Sequence, residues 1–430
     1  MSNSKERETA VYILTDMQAN GSYTNILLRK TLNQNNALLP VQKAFITEAV
    51  NGVLRNLIYI DYIINQFSKT QTDKMKPFVL NVLRLSVYQF YYMDKTPDFA
   101  VCNDAVALVK KRGMHGLAGF VNGLLRGILR GKDAMAMPDK GTTAYLSVRF
   151  SCPLWLTERF INQYGFDCTK DMLASHTAPP DVTLCVNTCK ITPAELAEQL
   201  KAEGVAVKPS RFMPNALHVS GTSDMTALPS FKQGLYHVMD ESALYAVSAA
   251  APVAGMRIID MCAAPGGKTF AAAYMANDDA VISARDCYEH KIALLQNGID
   301  RLGLRSVQAK YADAEHLYER DVEAADLVMV DAPCTGFGLL RKKPDISLAR
   351  TEADIIELAA LQRRILRTAA RYVKAGGTLL YSTCTLTKEE NEDNAAWFAS
   401  EFSFRETQRR TIFPQEYGTD GFFISTFVKG

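Results

Sequence analysis

Two cysteines stand where a chain could use a thiol as a nucleophile. Cys334 closes the run Asp331-Ala-Pro-Cys334, and Cys384 closes Tyr381-Ser-Thr-Cys384. Each follows a short apolar segment that reads as a buried strand, Asp326 to Val330 and Thr378 to Ser382. Strands adjacent in one sheet would bring both thiols into one cleft, where a thiolate can act as a covalent catalyst. The other reading is a pair of small buried hydrophobes, the usual role of a buried cysteine. Upstream, Cys262, Ala263, Ala264, Pro265, Gly266, Gly267 and Lys268 form a small-residue loop between the apolar run Arg257 to Met261 and a helix that includes Phe270 to Met275. Glycines let such a loop turn sharply and let a ligand approach its backbone. The following helix points free N–H groups at that ligand. The loop is neither G-x-G-x-x-G nor a P-loop, because position 262 is Cys. A plain glycine turn remains its alternative.

The elements around these residues alternate. From Tyr236 onward, strands at Arg257–Met261, Val281–Ala284, Ser306–Lys310, Asp326–Val330 and Thr378–Ser382 are separated by helical stretches, among them Tyr288–Arg301 and Ile355–Val373. That pattern predicts a doubly wound α/β sheet with ligands at the carboxyl ends of its strands. Asp286, Asp313 and Asp331 all fall just past such ends. Asp286 lies 26 positions after Asp260, where an acid can accept hydrogen bonds from both ribose hydroxyls of a nucleoside. For Asp286 and Asp313 the alternative is an acid that caps its own loop. Ahead of the sheet, Thr183–Asn187, Val205–Val207 and Leu217–Val219 read as short strands and Thr192–Glu203 as a helix. Gly131 to Tyr145 is a small, polar linker. Residues 5–131 show apolar spacing of helical period throughout, as in Val11, Ile13, Leu14 and Met17. The fold class expected is therefore multidomain: an all-α bundle over 1–135, a small α+β module over 145–235, and a Rossmann-like α/β sheet over 236–430.

Composition narrows the function classes. With 22% charged and 48% apolar residues in 430, the chain is globular. No apolar run reaches the roughly 18 residues that span a membrane. Nine cysteines without a C-x-x-C pair argue against a disulfide framework and a zinc site. The opening M-S-N-S-K-E-R-E lacks a secretory segment, so the expectation is a cytoplasmic monomer with no metal and no membrane. The net charge of +2 conceals an asymmetry: residues 1–132 hold 17 Lys and Arg against 9 Asp and Glu. Such an excess suits a polyanion partner or, equally, a solvated helical surface.

The residues Arg7, Glu48, Asn51, Gly52, Arg84, Tyr88, Phe120, Asn122 and Arg126 resemble a NusB-like RNA-binding domain. D-M-C-A-A-P-G-G-K-T, D-A-P-C-T-G and Y-S-T-C-T resemble three ordered motifs of RNA (cytosine-5)-methyltransferases. Together with Asp240-Glu-Ser242, Arg341, Pro344-Asp-Ile346 and Asp420-Gly-Phe-Phe423, nearly the whole chain resembles the RsmB/Sun family of 16S rRNA (cytosine-5)-methyltransferases. The resemblance implies S-adenosyl-L-methionine as cofactor and RNA, most simply 16S rRNA, as partner. It makes Cys384 the nucleophile at cytosine carbon 6 and Cys334 the group that assists proton removal and release. Asp331 would bind the cytosine edge, and Lys268 would stabilise charge on the ring. Cofactor contacts fall on Cys262 to Lys268, Asp286, Asp313 and Asp331. Arg341, Lys342 and Lys343 are candidates for phosphate contact. Cys185 and Met239 depart from the family's usual Arg and Gln, and Thr335 and Thr385 replace serines. The alternatives are the same chemistry on tRNA or another RNA, and an RNA-binding assembly factor without catalysis.

Overall fold

The computed structural model describes residues 4–20, 24–35, 37–93, 96–177, 182–221 and 225–430. Apolar spacing in the first part produces α-helices at Ser4–Asn20, Thr24–Gln34, Pro40–Arg55, Leu57–Phe67, Pro77–Tyr92, Asp98–Lys111 and Ala118–Gly131. Pro40 and Pro77 begin their helices, where a missing N–H is no loss. The helix Pro77–Tyr92 is buried from Val79 through Phe90, so it is the axis of the bundle. Its fully buried polar residues are given partners, as burial demands. Arg84 donates to both oxygens of Asp61, at 2.8 and 2.7 Å. Asn81 donates to Gln18 at 3.0 Å, and Gln89 accepts from Arg7 at 2.9 Å. The Tyr88 hydroxyl donates to Glu48, and its ring would lie 2.0 Å from a Cβ at position 52, so only Gly52 fits. Three more helices follow, Thr143–Arg149, Leu154–Tyr164 and Phe166–Ser175. This first compact unit runs to Thr177 and takes in Lys343–Ala349.

The second unit contains two sheets. The smaller is antiparallel, with β1 (Val182–Val186), β2 (Ala206–Pro209), β3 (Ala216–Ser220) and β4 (Tyr236–Val238) in the order β2-β3-β1-β4. Its helix, Pro193–Ala202, is opened by a reciprocal cap between Thr192 and Glu195. The larger sheet holds β5 (Arg257–Asp260), β6 (Val281–Asp286), β7 (Val307–Tyr311), β8 (Ala325–Asp331), β9 (Val373–Thr383), β10 (Phe404–Ile412) and β11 (Phe422–Lys429), in the order β10-β11-β9-β8-β5-β6-β7. The five strands from β7 to β9 are parallel, and β11 and β10 add antiparallel to the edge. It is the Rossmann-like sheet expected from the alternation. Residues alternate between its faces: Ile258, Leu327 and Leu380 join one core with Leu295 and Ala272, while Ile259, Val328 and Leu379 join the other with Ile365 and Leu366.

Strand β10 was not foreseen. Its sequence, Phe-Arg-Glu-Thr-Gln-Arg-Arg-Thr-Ile, is polar on both faces because it is an edge strand with only its ends buried. Chain order runs outward from β5 to β7, then returns to β8 on the other side of β5. The switch point therefore lies at the carboxyl ends of β5 and β8, where α/β sheets bind ligands.

Candidate active site

The loop after β5 is pinned on both sides. Met261 donates its N–H to the Met329 carbonyl at 3.0 Å, and Ala263 donates to the Arg285 carbonyl at 2.8 Å. Gly266 has φ +115, and a Cβ there would stand 2.2 Å from the Phe270 ring, so this position requires glycine. Gly267 differs: a Cβ would meet nothing closer than 3.8 Å. It begins the helix Gly267–Met275. Beneath the turn, burial pushes the His237 imidazole down to about 3, so the ring is neutral. Its Nε2 then donates to the Gly267 carbonyl at 3.1 Å, while Nδ1 faces the Tyr274 hydroxyl at 3.2 Å. Asp260, at the end of β5, is buried and pushed up to about 7 by that burial. It accepts from Thr269 Oγ1 at 2.6 Å, and its second oxygen has no partner.

Register brings the thiols together. In the β8–β9 ladder Asp331 pairs with Ser382, so the chain leaves both strands side by side. Cys334 Sγ and Cys384 Sγ are 3.3 Å apart. The Cys334 thiol is held well above the ordinary thiol range, first by its hydrogen bond with Cys384, then by burial and by the carboxylates of Glu390 and Asp331. Asp331 Oδ2 forms an ion pair with Lys268 Nζ at 2.7 Å, and Oδ1 accepts from Ser382 at 3.2 Å. The Lys268 ammonium also lies 4.8 Å over the Phe422 ring. Its charge is thus balanced by Asp331, and Asp331 rather than a thiol is its neighbour.

A buried carboxylate absent from the sequence reading braces both cysteine loops. Glu390 is fully buried and accepts four hydrogen bonds: from Thr335 N (2.9 Å), Thr335 Oγ1 (2.5 Å), Thr387 Oγ1 (2.7 Å) and Gln362 Nε2 (3.0 Å). Thr335 and Thr385, the two serine replacements, are themselves 2.7 Å apart through their hydroxyls. Gln362 also donates to the Pro333 carbonyl at 2.9 Å, and Asn391 donates to the Thr385 carbonyl at 3.0 Å. Thr387-Lys-Glu-Glu390 has the spacing of a helix capping box, which is the signal by which Glu390 was detectable.

The remaining acids sit at successive strand ends. Asp286 closes β6, is buried, and receives Tyr288 N at 3.2 Å and Lys291 Nζ at 3.5 Å, both on Oδ1. Asp313 follows β7, is exposed, and accepts from Glu315 N at 2.9 Å. Cys262 lies within the loop, its thiol raised well above the usual value by burial and then by Asp260, Asp331 and Asp286. Of the three basic residues after β8, Lys342 is not available for phosphate. Its ammonium sits between Asp240 (2.5 Å) and Asp420 (2.8 Å). Arg341 donates to the Gly418 carbonyl at 2.7 Å. Cys185 and Met239 are both buried; Cys185 lies in β1 with its thiol pushed up to about 12, and Met239 Sδ is 3.4 Å from His237 Nε2. Among the described residues, no group of three His, Cys, Asp or Glu side chains could hold a metal, and no helix is long and apolar enough to cross a membrane.

Three family models match the chain in order: NusB over residues 4–130, the ferredoxin-like domain of RsmF/B-type methyltransferases over 152–226, and 16S rRNA methyltransferase RsmB/F over 247–428. The probable ribosomal RNA small subunit methyltransferase B of Bacillus subtilis is 35% identical, with both chains covered in full. That of Synechocystis is 33% identical over 98% of this chain and 99% of its own. The crystal structure of PH0851 aligns over 99% of each chain with a TM-score of 0.81 and 26% identity. By full-length identity and by the order of its domains, the chain belongs to the ribosomal RNA small subunit methyltransferase B family.

Proposed function

We propose that this protein methylates carbon 5 of a cytosine in 16S rRNA, in the cytoplasm, through a covalent adduct between Cys384 and carbon 6. The observation that carries this reading is the pair of thiols 3.3 Å apart at the ends of adjacent parallel strands, beside the Lys268–Asp331 ion pair. Carbon 5 of cytosine is a weak nucleophile. Addition of a thiolate to carbon 6 moves electron density to carbon 5 and divides one difficult step into easier ones. Relatives sharing the full length are named for small-subunit rRNA, which favours that substrate over tRNA. A target inside a helix must leave it to reach these part-buried thiols.

S-adenosylmethionine, when bound, supplies the methyl group. The residues present suit it: a glycine-specific turn at Gly266, a helix N-terminus at Gly267, and a row of acids at the strand ends. Cys262 to Lys268 would hold the methionine part, Asp286 the ribose hydroxyls and Asp313 the adenine edge, with Asp331 near the sulfonium. Asp331 would also accept from the cytosine amino group, and Lys268 would stabilise the charge that builds on the ring.

The two thiols divide the work by their protons. Cys334 holds its proton, and its hydrogen bond with Cys384 is the largest cause. When the Cys384 sulfur bonds to carbon 6, that cause is removed and the Cys334 value falls. Cys334 then gives up its thiol proton to solvent more readily, and the thiolate so formed can accept the carbon 5 proton when it must leave. Loss of that proton lets the carbon 6–sulfur bond break and restores Cys384.

The test is a denaturing-gel trap with S-adenosylmethionine and unmethylated 16S rRNA. Cys334→Ala is expected to accumulate a slow-migrating protein–RNA band, and Cys384→Ala to show none. A band with Cys384→Ala instead would reverse the two roles. Absence of any band together with absence of methyl transfer by the unmodified protein would remove the rRNA reading.

A further inference from the structure

Three aromatic rings from distant parts of the second unit are stacked in one column. Phe212, in the turn after β2, is the middle ring. Tyr417 stacks on it at 4.3 Å between centroids and 16°, and Tyr245 at 5.2 Å and 23°. The Arg410 guanidinium runs along the column, 5.0 Å from the Tyr245 centroid, 5.3 Å from Tyr417 and 5.8 Å from Phe212. Each element of the column is fixed. Arg410 donates to the Tyr417 hydroxyl at 2.7 Å, and Gln408, two residues away on the same face of β10, donates to the Tyr245 hydroxyl at 2.9 Å. The Phe212 N–H donates to Ser210 Oγ at 2.9 Å. The terminal ring, Tyr417, is 45% exposed.

The column is joined to the thiols through one short loop. Tyr417 ends the turn of helix Pro414–Tyr417, and Gly421 lies four residues on, at most about 15 Å away along the chain. Gly421 donates to the Gly338 carbonyl at 2.9 Å, and Gly338 donates to the Cys384 carbonyl at 3.0 Å. Arg341 holds the same loop at Gly418.

We propose that Phe212, Tyr245 and Tyr417, edged by Arg410, form a stacking platform for an unpaired base of the RNA substrate beside the target nucleotide. This rests on the reading that RNA is the substrate. A half-exposed tyrosine at the end of a rigid stack offers a flat face, and every base has a face to lay on it. Arg410 supplies positive charge where a strand's phosphates must pass, at the end of a loop that reaches the nucleophile.

The experiment compares unmodified protein, Tyr417→Ala and Tyr417→Phe in binding unmethylated 16S rRNA transcript and a ten-nucleotide oligocytidylate, by filter retention over a series of salt concentrations. Tyr417→Ala is expected to weaken binding to both about tenfold, the size of one base–aromatic stack. The salt slope is expected to stay unchanged, since no phosphate contact is removed, and the melting temperature to fall by only a few degrees, as for the loss of one stacked pair. Tyr417→Phe is expected to bind like the unmodified protein. Equal affinity of Tyr417→Ala and unmodified protein would overturn the platform. So would a Tyr417→Phe as weak as Tyr417→Ala, because the hydroxyl bond to Arg410 would then be what matters. Methyl transfer measured alongside separates the two readings. If unmodified protein binds RNA and loses affinity on Tyr417→Ala but transfers no methyl group, the platform stands and the proposed chemistry falls. If it binds neither RNA, both fall.

Discussion

Replacing Glu390 tests whether one buried carboxylate sets the geometry of both cysteine loops. Glu390→Ala deprives four donors of their acceptor. Two of them have somewhere else to go: Thr335 Oγ1 is already 2.7 Å from Thr385 Oγ1, and Gln362 still reaches the Pro333 carbonyl. The Thr335 N–H and the Thr387 hydroxyl are left, in a region without exposure. At about 1–3 kcal/mol for each orphaned buried donor, plus the space vacated, the loss should be roughly 3–5 kcal/mol. Glu390→Gln keeps one acceptor oxygen for Thr335 but turns an N–H toward another donor, so about 1–2 kcal/mol is expected. The chain has two tryptophans, Trp155 and Trp397. A Trp155→Phe background leaves Trp397, on helix Glu392–Glu401 beside the network, as the fluorescence reporter for urea unfolding. Initial methyl-transfer rates at saturating S-adenosylmethionine, measured well below the unfolding midpoint, should fall more than tenfold in Glu390→Ala, because the thiol loops lose their common anchor. An unfolding midpoint within about 0.5 kcal/mol of the parent, the range of an ordinary surface substitution, would refute the reasoning. So would Glu390→Gln behaving as badly as Glu390→Ala.

Two further outcomes follow from the glycine loop after β5. Gly266→Ala should cost roughly 2–4 kcal/mol of stability and weaken S-adenosylmethionine binding by calorimetry at least tenfold, because its Cβ would collide with Phe270 at a positive φ. Gly267→Ala should cost less than about 1 kcal/mol, since its Cβ meets only ordinary contacts. The buried Asp260 gives a pH signature: its folded value of about 7 lies above the ordinary 3.8, so the fold favours the protonated form. Its contribution to stability is fully present below the ordinary value and is lost as pH rises through about 7, by roughly 1.4 kcal/mol per pH unit between the two. Urea midpoints measured from pH 5.5 to 8 should therefore fall more steeply for the parent than for Asp260→Asn; parallel profiles would contradict the assignment.

The sheet, the glycine loop and the two cysteines were legible because their signals are local. A short apolar run ending in Asp-Ala-Pro-Cys or Ser-Thr-Cys declares a strand end, and strand ends are where this sheet type binds ligands. What lay beyond reach depends on register and burial. Strand β10 alternates no apolar residues, because an edge strand buries only its ends. Lys342 read as a phosphate contact because a run of Arg-Lys-Lys looks exposed. Only the fold brings Asp240, 102 residues earlier, and Asp420, 78 residues later, to its ammonium. Glu390 carried a local signal, the capping-box spacing, yet its importance comes from Thr335 and Gln362, 55 and 28 residues away.

Gly338 shows how the position of Cys384 is built from backbone rather than from side chains. Its N–H donates to the Cys384 carbonyl, and its carbonyl accepts from Gly421. A Cβ at 338 would fall 1.9 Å from the Gly421 oxygen and 2.8 Å from the Cys384 oxygen. Both neighbours are backbone, so neither can swing aside as a side chain would. The loop carrying Cys334 is thus laid against the loop carrying Cys384 at a separation that only glycine permits. Both are laid against the Asp420–Phe422 segment that places an aromatic ring under Lys268. Sheet register fixes where the two strands end, and this three-way backbone crossing fixes how far apart the thiols may drift afterwards. Two thiols held in hydrogen-bond contact need both constraints, since hydrogen bonding fails within about an ångström of added distance.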